Sequence, residues 1–99
     1  YVNICYQSIY VNFYIDKYKV LISSKDTMIR HFVLVEPFRV IFDFKANKNF
    51  LTYKKNINSF IKKVVIGNHN GFYRVVLYTD GVYKPIIKKV TEGYLVDFK

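Results

Sequence analysis

Apolar and more polar residues alternate with a period of two along most of this chain. Every odd position from 9 to 15 is apolar, and the alternation resumes over residues 18–22. A period of two sends successive side chains to opposite faces of a strand, so it indicates strands with one buried face. Asp16 and Lys17 separate the two runs and favour a turn. We therefore predict a β-hairpin over residues 9–22.

The same alternation predicts six further strands. They are Met28–Val35, Phe38–Phe44, Ile61–Ile66, Tyr73–Thr79, Tyr83–Val90 and Tyr94–Phe98. Pro37 and the GNHNG sequence at 67–71 interrupt the pattern, and Gly93 can take a positive φ in the last turn. Residues 23–27 are predicted to form a loop. The lysine- and asparagine-rich residues 45–59 are predicted to form a long crossover of irregular chain or a short helical turn.

The spacing of these strands indicates the fold class. About eight short strands, with frequent turns and no helical period, are typical of an antiparallel sandwich or barrel. Each half of the chain contains four of them, so we predict an all-β fold, an antiparallel β-sandwich of two similar sheets. FRVIFDF at 38–44 and YRVVLYT at 73–79 share an aromatic residue, an arginine and a valine. We expect these two strands to be equivalent, one in each sheet, although windows this short also match by chance.

Length and composition favour one folded domain. The chain has 99 residues, of which 52% are hydrophobic, and this is enough to bury a core. We predict a single domain over residues 1–99. Because the sequence begins with Tyr1 instead of Met, we interpret it as a domain excised from a larger protein. No apolar run approaches the length that crosses a bilayer, so we expect no transmembrane segment in it.

Residues for metal, disulfide or catalytic chemistry are few. Cys5 is the single cysteine, and neither His31 nor His69 has a neighbour at a metal-ligand spacing. The sequence contains no nucleophile elbow and no glycine-rich phosphate loop, and only seven Asp and Glu residues could supply a catalytic pair. We therefore expect no cofactor, no metal and no enzymatic activity in this domain.

The formal net charge of +9 is compatible with an anionic partner. Lysine supplies nearly all of it, and an AT-rich genome would give the same bias toward Lys, Asn, Ile, Tyr and Phe. Basic and aromatic residues also interleave on the strands of nucleic-acid-binding sheets. However, the sequence lacks the glycine–aromatic pattern of RNA-recognition motifs, and its lysines are spread along the chain. A nucleic-acid-binding β module is the weaker alternative, and we expect no nucleic acid partner.

Three segments carry a family resemblance: VLVEPFRVIFDF at 33–44, FIKKVVIGNHNGFYRVVLYTD at 60–80 and YLVDF at 94–98. In this order they resemble the AMIN domain. That family has an apolar-Pro-aromatic-Arg-apolar-apolar-Asp-apolar strand, an Ile-x-x-Val-x-Ile-Gly strand and an Arg-Val-Val strand. The matching residues are Pro37, Phe38, Arg39, Asp43, Val64, Ile66, Gly67, Arg74, Val75 and Val76. The chain departs from the family at Tyr78 and Asp80, where an acidic residue often lies within the strand.

The resemblance implies a β-sandwich of two similar four-stranded sheets in a bacterial envelope protein. AMIN domains precede the catalytic domain of N-acetylmuramoyl-L-alanine amidases, occur in pilus secretins, and are thought to hold their carriers at peptidoglycan. The resemblance therefore implies a periplasmic, non-catalytic module that binds peptidoglycan and localises an associated amidase or envelope complex. The alternative is a protein–protein interaction adaptor in a periplasmic assembly, which would use a sheet edge.

Arginines and tyrosines of the matched strands are the candidate ligand-binding residues. Arg39 and Asp43 share one side of a strand about 13 Å apart, so each is expected to meet a partner on a neighbouring strand. We hypothesise that Arg39 and Arg74 bind carboxylates of stem peptides, or amide and hydroxyl groups of glycan, through their planar guanidinium groups. Tyr73 and Tyr78 would add flat faces against sugar rings. The alternative is that these residues only order the sheet.

Overall fold

The computed structural model describes residues 2–3, 11–46 and 53–99, and all of its regular structure in these residues is β. Contacts divide the chain into two compact units. Unit 1 is Tyr1–Lys25 with Tyr83–Lys99, and unit 2 is Asp26–Val82. Each unit contains one antiparallel five-stranded sheet. The predicted all-β fold with two similar antiparallel sheets is confirmed.

Ten strands are present in the described residues, where the sequence pattern predicted about eight. In chain order they are β1 (Val2–Asn3), β2 (Val11–Asp16), β3 (Lys19–Ser24), β4 (Thr27–Leu34), β5 (Arg39–Lys45), β6 (Tyr53–Asn56), β7 (Ile61–His69), β8 (Phe72–Thr79), β9 (Pro85–Val90) and β10 (Gly93–Phe98). The two additional strands are β1 and β6, which are short and lie at sheet edges. No helix in the described ranges is long and apolar enough to span a membrane.

The sheet of unit 1 has the strand order β1-β2-β3-β10-β9. β2 and β3 form the predicted hairpin, in which Asp16 pairs with Lys19 and Lys17 takes φ 55° in the turn. Alternation buries one face, as the sequence predicted. The buried residues are Val11, Phe13, Ile15, Val20, Ile22, Tyr94, Val96 and Phe98. Each such side chain stabilises the fold by about 1.5–3 kcal/mol relative to leaving it exposed.

Gly93 is required where β10 begins. Its φ is 149°, a positive value that residues with a Cβ rarely adopt, and the expectation from the turn sequence is confirmed. A Cβ at this position would lie 2.2 Å from the carbonyl oxygen of Ile22 and 2.9 Å from the amide nitrogen of Ser24. The backbone of β3 therefore occupies the space that a side chain would need.

The sheet of unit 2 has the strand order β4-β5-β8-β7-β6. β7 and β8 form the predicted second hairpin, but its turn is only residues 70–71, because β7 continues through Gly67 to His69. One face of this sheet is again buried. The residues buried on that face are Val40, Phe42, Phe44, Ile61, Val64, Ile66, Tyr73, Val75 and Leu77. On the opposite face, the central strand β5 also buries Ile41 and Asp43.

The two strands that share the aromatic-Arg-Val pattern, β5 and β8, are neighbours in the same sheet. They pair antiparallel, with Asp43 opposite Arg74 and Arg39 opposite Tyr78. The expectation that they are equivalent strands of two different sheets is therefore wrong. The shared pattern reflects two central strands that bury the same kind of face, and it carries no information about which sheet a strand joins.

The strand equivalent to β5 in the other unit is β10. Both sheets place two hairpins side by side, and β5 and β8 occupy the positions in unit 2 that β10 and β3 occupy in unit 1. In β5 the sequence is VIFDF at 40–44, and in β10 it is YLVDF at 94–98. Asp97 pairs with Lys19 in the same way that Asp43 pairs with Arg74. The similarity of the two sheets thus lies in topology and register.

The predicted loops are shorter than expected. β3 extends to Ser24 and β4 begins at Thr27, so only residues 25–26 separate them. In the predicted crossover over 45–59, Lys45 ends β5, and Tyr53–Asn56 pairs with β7 as the edge strand β6. The other residues of the crossover between 47 and 52 lie outside the described residues.

Candidate functional site

Polar and aromatic residues collect on one face of the unit 2 sheet, the face opposite Val40, Phe42 and Phe44. We refer to it as the outer face. Alternation along β5 puts Arg39 and Asp43 there, and the antiparallel pairing with β8 adds Arg74 and Tyr78. Four of the five candidate site residues therefore share one face, which places a surface of mixed charge and aromatic character across the two central strands.

The centre of this face is an aspartate held between two arginines. Asp43 is fully buried, with 0% of its surface exposed. Arg74 donates from Nε to Oδ1 at 2.8 Å and from Nη2 to Oδ2 at 3.0 Å, and Arg30 donates from Nη1 to Oδ2 at 2.9 Å. A buried carboxylate needs such compensation, because burial of an unpaired charge is strongly unfavourable.

Strand register explains why these three residues meet. β4 pairs with β5 so that Arg30 lies opposite Asp43, and β5 pairs with β8 so that Asp43 lies opposite Arg74. Charged residues directly opposite one another on adjacent antiparallel strands are close enough to interact. The hydrogen bond to Asp43 raises the pKa of Arg74, partial burial lowers it, and the charge of Asp43 adds to the rise. Arg74 therefore stays cationic at any ordinary pH.

Aromatic rings lie against the two guanidinium groups. The guanidinium carbon of Arg30 is 5.0 Å from the ring centroid of Phe72, and that of Arg74 is 5.5 Å from Phe32 and 5.8 Å from Phe72. His69 stacks on Phe72 at 4.8 Å with an interplanar angle of 4°. Cation–π contacts of this kind restrict the orientation of the guanidinium planes. We call Arg30, Phe32, Asp43, Phe72 and Arg74 the arginine cluster.

The arginine cluster carries a net positive charge. Two guanidinium groups share one carboxylate, which leaves one unit of positive charge at the surface. The side chain of Arg30 is 46% exposed and that of Arg74 is 33% exposed, whereas Asp43 is covered. The carboxylate acceptor is therefore covered and solvent meets only donors, an arrangement that favours an anionic ligand.

Gly67 leaves space beside Arg74. It lies opposite Arg74 on β7, so it continues the row formed by Arg30, Asp43 and Arg74 across the sheet. A Cβ at Gly67 would have no atom within 4 Å. The outer face therefore has an open position where most strands would carry a side chain.

Arg39 and Tyr78 lie on the outer face but apart from the arginine cluster. They oppose each other four residues along the strands from Asp43 and Arg74, which is about 13 Å away. Arg39 donates from Nη1 to the carbonyl oxygen of Pro37 at 2.8 Å, within its own turn. Lys63 Nζ lies 4.3 Å from the ring centroid of Tyr78. The partner expected for Asp43 on a neighbouring strand is present, whereas Arg39 bonds to the preceding turn.

Tyr73 lies on the opposite face from the other candidates. It is fully buried, its ring stacks on Phe44 with centroids 5.2 Å apart, and its hydroxyl donates to Asp26 Oδ2 at 2.9 Å. Its ring is therefore inaccessible to a sugar. Its place follows from alternation, because Tyr73 and Arg74 are consecutive residues of one strand.

Arg30, Phe32 and Phe72 are the cluster residues that were not predicted, and Arg30 is the one that a local signal could have identified. Residues 35–38 form the turn between β4 and β5, and a hairpin with this turn pairs residue 34 with 39 and residue 30 with 43. Arg30 is also one of only three arginines in the chain. The signal was thus the hairpin register around Pro37, which brings an arginine opposite the matched aspartate.

Within the described residues, no group of three or more His, Cys, Asp and Glu side chains is arranged to hold a metal ion.

Comparison with known proteins places the chain in a family. Neither the curated proteins nor the solved structures gave a match. The sequence profile of the AMIN domain matches residues 11–98, which span both sheets and include the whole arginine cluster. The chain belongs to the AMIN domain family.

Proposed function

We propose that this protein is a non-catalytic module that binds peptidoglycan in the periplasm and localises an associated cell-wall amidase or envelope complex. AMIN domains are targeting domains of envelope proteins, and this supports the setting. The observation that carries the proposal is the arginine cluster. It combines exposed cationic donors with aromatic rings on one face, in a chain whose formal net charge is +9.

The physical basis is complementarity between this face and the wall polymer. Peptidoglycan consists of sugar rings and short peptides that carry free carboxylates. Guanidinium groups bind carboxylates through charge-assisted hydrogen bonds, and aromatic rings pack against the apolar faces of sugars. Phe72 contacts both arginines, so the two kinds of contact lie within one small surface.

Co-sedimentation with purified sacculi tests this function. The wild-type protein is compared with Arg30→Gln, which removes an exposed cation but leaves Arg74 paired with Asp43, and with Lys88→Gln, which removes an exposed cation from unit 1. We expect Arg30→Gln to lower the affinity for sacculi at least fivefold and Lys88→Gln less than twofold. Wild-type binding no stronger than that of an unrelated basic protein of equal charge would refute the proposal.

A second candidate function, a protein–protein interaction adaptor, is favoured by the edge strand β4. Its exposed apolar side chains, continuing into the turn, are Ile29, Val33, Leu34 and Val35. The other edges in the described residues are guarded: β1 is only two residues long, β6 carries Lys54 and Lys55, and β9 carries Pro85, Lys88 and Lys89. Lysine and proline discourage strand addition, so β4 is the edge suited to an extended apolar segment of an envelope partner.

Site-specific photocrosslinking in cells separates this second function from the first. A photoreactive residue at Leu34 is compared with one at Lys88. The adaptor function predicts one adduct specific to Leu34, in which mass spectrometry maps the crosslink to an extended apolar segment, and loss of that adduct with Val33→Lys. Equal labelling from both positions, or no adduct at Leu34, would count against it.

A further inference from the structure

We infer that the arginine cluster recognises carboxylate groups of the stem peptides rather than the glycan strand, an inference that rests on the proposed function above. The ligand would be a carboxylate of a wall peptide, at its C-terminus or on a side chain, bound at the end of the Arg74 guanidinium, with the peptide lying over the open position at Gly67. Four properties of the site lead to this assignment. They are the unused N–H donors of Arg74, the net positive charge of the arginine cluster, the fixed orientation of the guanidinium plane and the open position at Gly67.

The unused donors of Arg74 form one edge of its guanidinium group. Arginine has five N–H donors in a planar fork. Asp43 accepts from Nε and Nη2, which is the side edge of the group. The remaining hydrogens of Arg74 lie on Nη1 and Nη2, which form the end edge. Two parallel N–H groups at that edge match the two oxygens of a carboxylate.

Charge favours a carboxylate over the hydroxyl and amide groups of glycan. Asp43 neutralises only one of the two cations that it contacts, Arg30 and Arg74. Hydrogen bonds between ionised partners are about twice as strong as neutral ones. A second carboxylate would bring the cluster to neutrality, whereas a sugar hydroxyl would leave its charge uncompensated.

The aromatic contacts fix the direction of the donors in advance. The rings of Phe32 and Phe72 both lie within 6 Å of the Arg74 guanidinium carbon, at 5.5 and 5.8 Å. The two hydrogen bonds to Asp43 also hold the side edge of the Arg74 guanidinium in place. A side chain held in this way loses less conformational freedom when a ligand binds, which increases affinity for a ligand of the matching shape.

The open position at Gly67 gives the ligand room. A Cβ there would meet no atom within 4 Å, and Gly67 pairs with Arg74 across the sheet. A larger side chain there would stand on the outer face beside the backbone of Arg74, on the side away from Asp43. Because the glycine leaves this side of the row uncovered, the peptide that carries the carboxylate has room to lie against the sheet beside Arg74.

Three forms of the wall polymer test the inference. The probes are intact sacculi, sacculi whose carboxylates have been converted to primary amides with carbodiimide and ammonia, and glycan strands freed of peptides by an amidase and then amidated in the same way, because that cleavage leaves a carboxylate on each lactyl group. We expect the wild-type protein to bind the amidated sacculi and the peptide-free glycan at least tenfold more weakly than intact sacculi. Equal binding to all three would overturn the inference and leave the proposed function standing. No binding to intact sacculi would defeat the proposed function itself.

Two substitutions that keep the net charge distinguish recognition from general attraction to an anionic polymer. Arg74→Lys keeps the cation but removes the fork, and Gly67→Val fills the open position. Each is expected to reduce the affinity for intact sacculi at least fivefold. Each should also make the affinities for intact and amidated sacculi more similar. Lys88→Gln is the control and should leave that difference unchanged. If Arg74→Lys and Gly67→Val bind as the wild type does, the carboxylate is attracted by charge alone and the inference is wrong.

Phosphate is the other anion that a guanidinium cluster binds. Inorganic phosphate and acetate, at equal ionic strength, are therefore used as competitors of binding to intact sacculi. We expect acetate to compete at least as well as phosphate, because one negative charge neutralises the cluster and a phosphate dianion would exceed that charge. Stronger competition by phosphate, together with undiminished binding to amidated sacculi, would overturn the assignment to peptide carboxylates.

Discussion

The two sheets of this protein share a topology and a register but differ in one row of residues on the face opposite their buried residues. In unit 2 the row reads Arg30, Asp43, Arg74 and Gly67, and in unit 1 the equivalent row reads Ile86, Asp97, Lys19 and Asp16. The first row sums to one positive charge and the second to one negative charge. The fold provides the same positions twice, and residue identity makes only one of them suitable for an anion.

The central aspartate of the row is also more buried in unit 2 than in unit 1. Asp43 is completely covered and receives three hydrogen bonds from arginines. The Asp97 side chain is 30% exposed and has Lys99 Nζ at 3.6 Å. Unit 1 has a pocket at this place, and its lining mixes acidic and basic groups: Asp16, Lys17, Tyr18, Lys19, Asp97 and Lys99. Because the Asp43 carboxylate is covered, the surface above it presents hydrogen-bond donors. The exposed carboxylate of Asp97 would instead compete with an anionic ligand for the neighbouring cations.

The largest contrast is expected at the two glycines of these sheets. Gly93→Ala places a Cβ 2.2 Å from the Ile22 carbonyl oxygen at a positive φ, and should lower the free energy of unfolding by about 2–4 kcal/mol. Gly67→Ala meets open space and should change it by less than about 1 kcal/mol, toward higher stability. Urea denaturation measures both. Equal losses at the two positions would show that the open position at Gly67 is not open in solution.

The second largest contrast in stability is expected between the two central aspartates, Asp43 and Asp97. Asp43→Asn removes the charge that two arginines share, and should lower the free energy of unfolding by about 2–3 kcal/mol. The arginines are partly exposed, so water moderates the loss. Asp97→Asn should cost less than about 1 kcal/mol, because its ion pair is long and solvent-exposed. Comparable costs in urea denaturation would mean that burial does not distinguish the two rows.

The smallest contrast concerns two tyrosines at equivalent register positions. Tyr73 donates to Asp26 at 2.9 Å and is fully buried, so Tyr73→Phe should cost about 1 kcal/mol. Tyr18 immediately precedes Lys19 in unit 1, as Tyr73 precedes Arg74 in unit 2, and it is 55% exposed. Tyr18→Phe should cost less than about 0.5 kcal/mol. The thermal midpoints of the two variants provide the measurement, and a larger shift for Tyr18→Phe would contradict the prediction.

Alternation predicted the parts of the fold that depend on one strand or one hairpin. It identified the hairpin of β2 with β3, the hairpin of β7 with β8 and the buried faces, and the turn sequence predicted the positive φ of Gly93. It missed the edge strand β6 because lysines dominate Tyr53–Asn56, and an edge strand needs little burial. It could not identify sheet partners from the repeated Arg-Val pattern, because buried faces look alike in every central strand.

The candidate site was predicted in part for the same reason. Asp43 and Arg74 were identified, but their contact depends on the pairing of β5 with β8, which is a long-range feature. Tyr73 was included although alternation alone places it on the other face from Arg74. Arg30 was within reach of the hairpin register, whereas the rings of Phe32 and Phe72 join the cluster only when three strands lie side by side.

Asp43 gathers partners from distant parts of the chain, 13 residues before it and 31 residues after it. Neither the hairpin of β4 and β5 nor the strand β8 carries this arrangement alone. A nascent or partly unfolded copy would display scattered lysines but not the paired forks. Wall attachment of this kind would therefore act as a checkpoint, in which only chains that have completed the sheet are retained at the polymer.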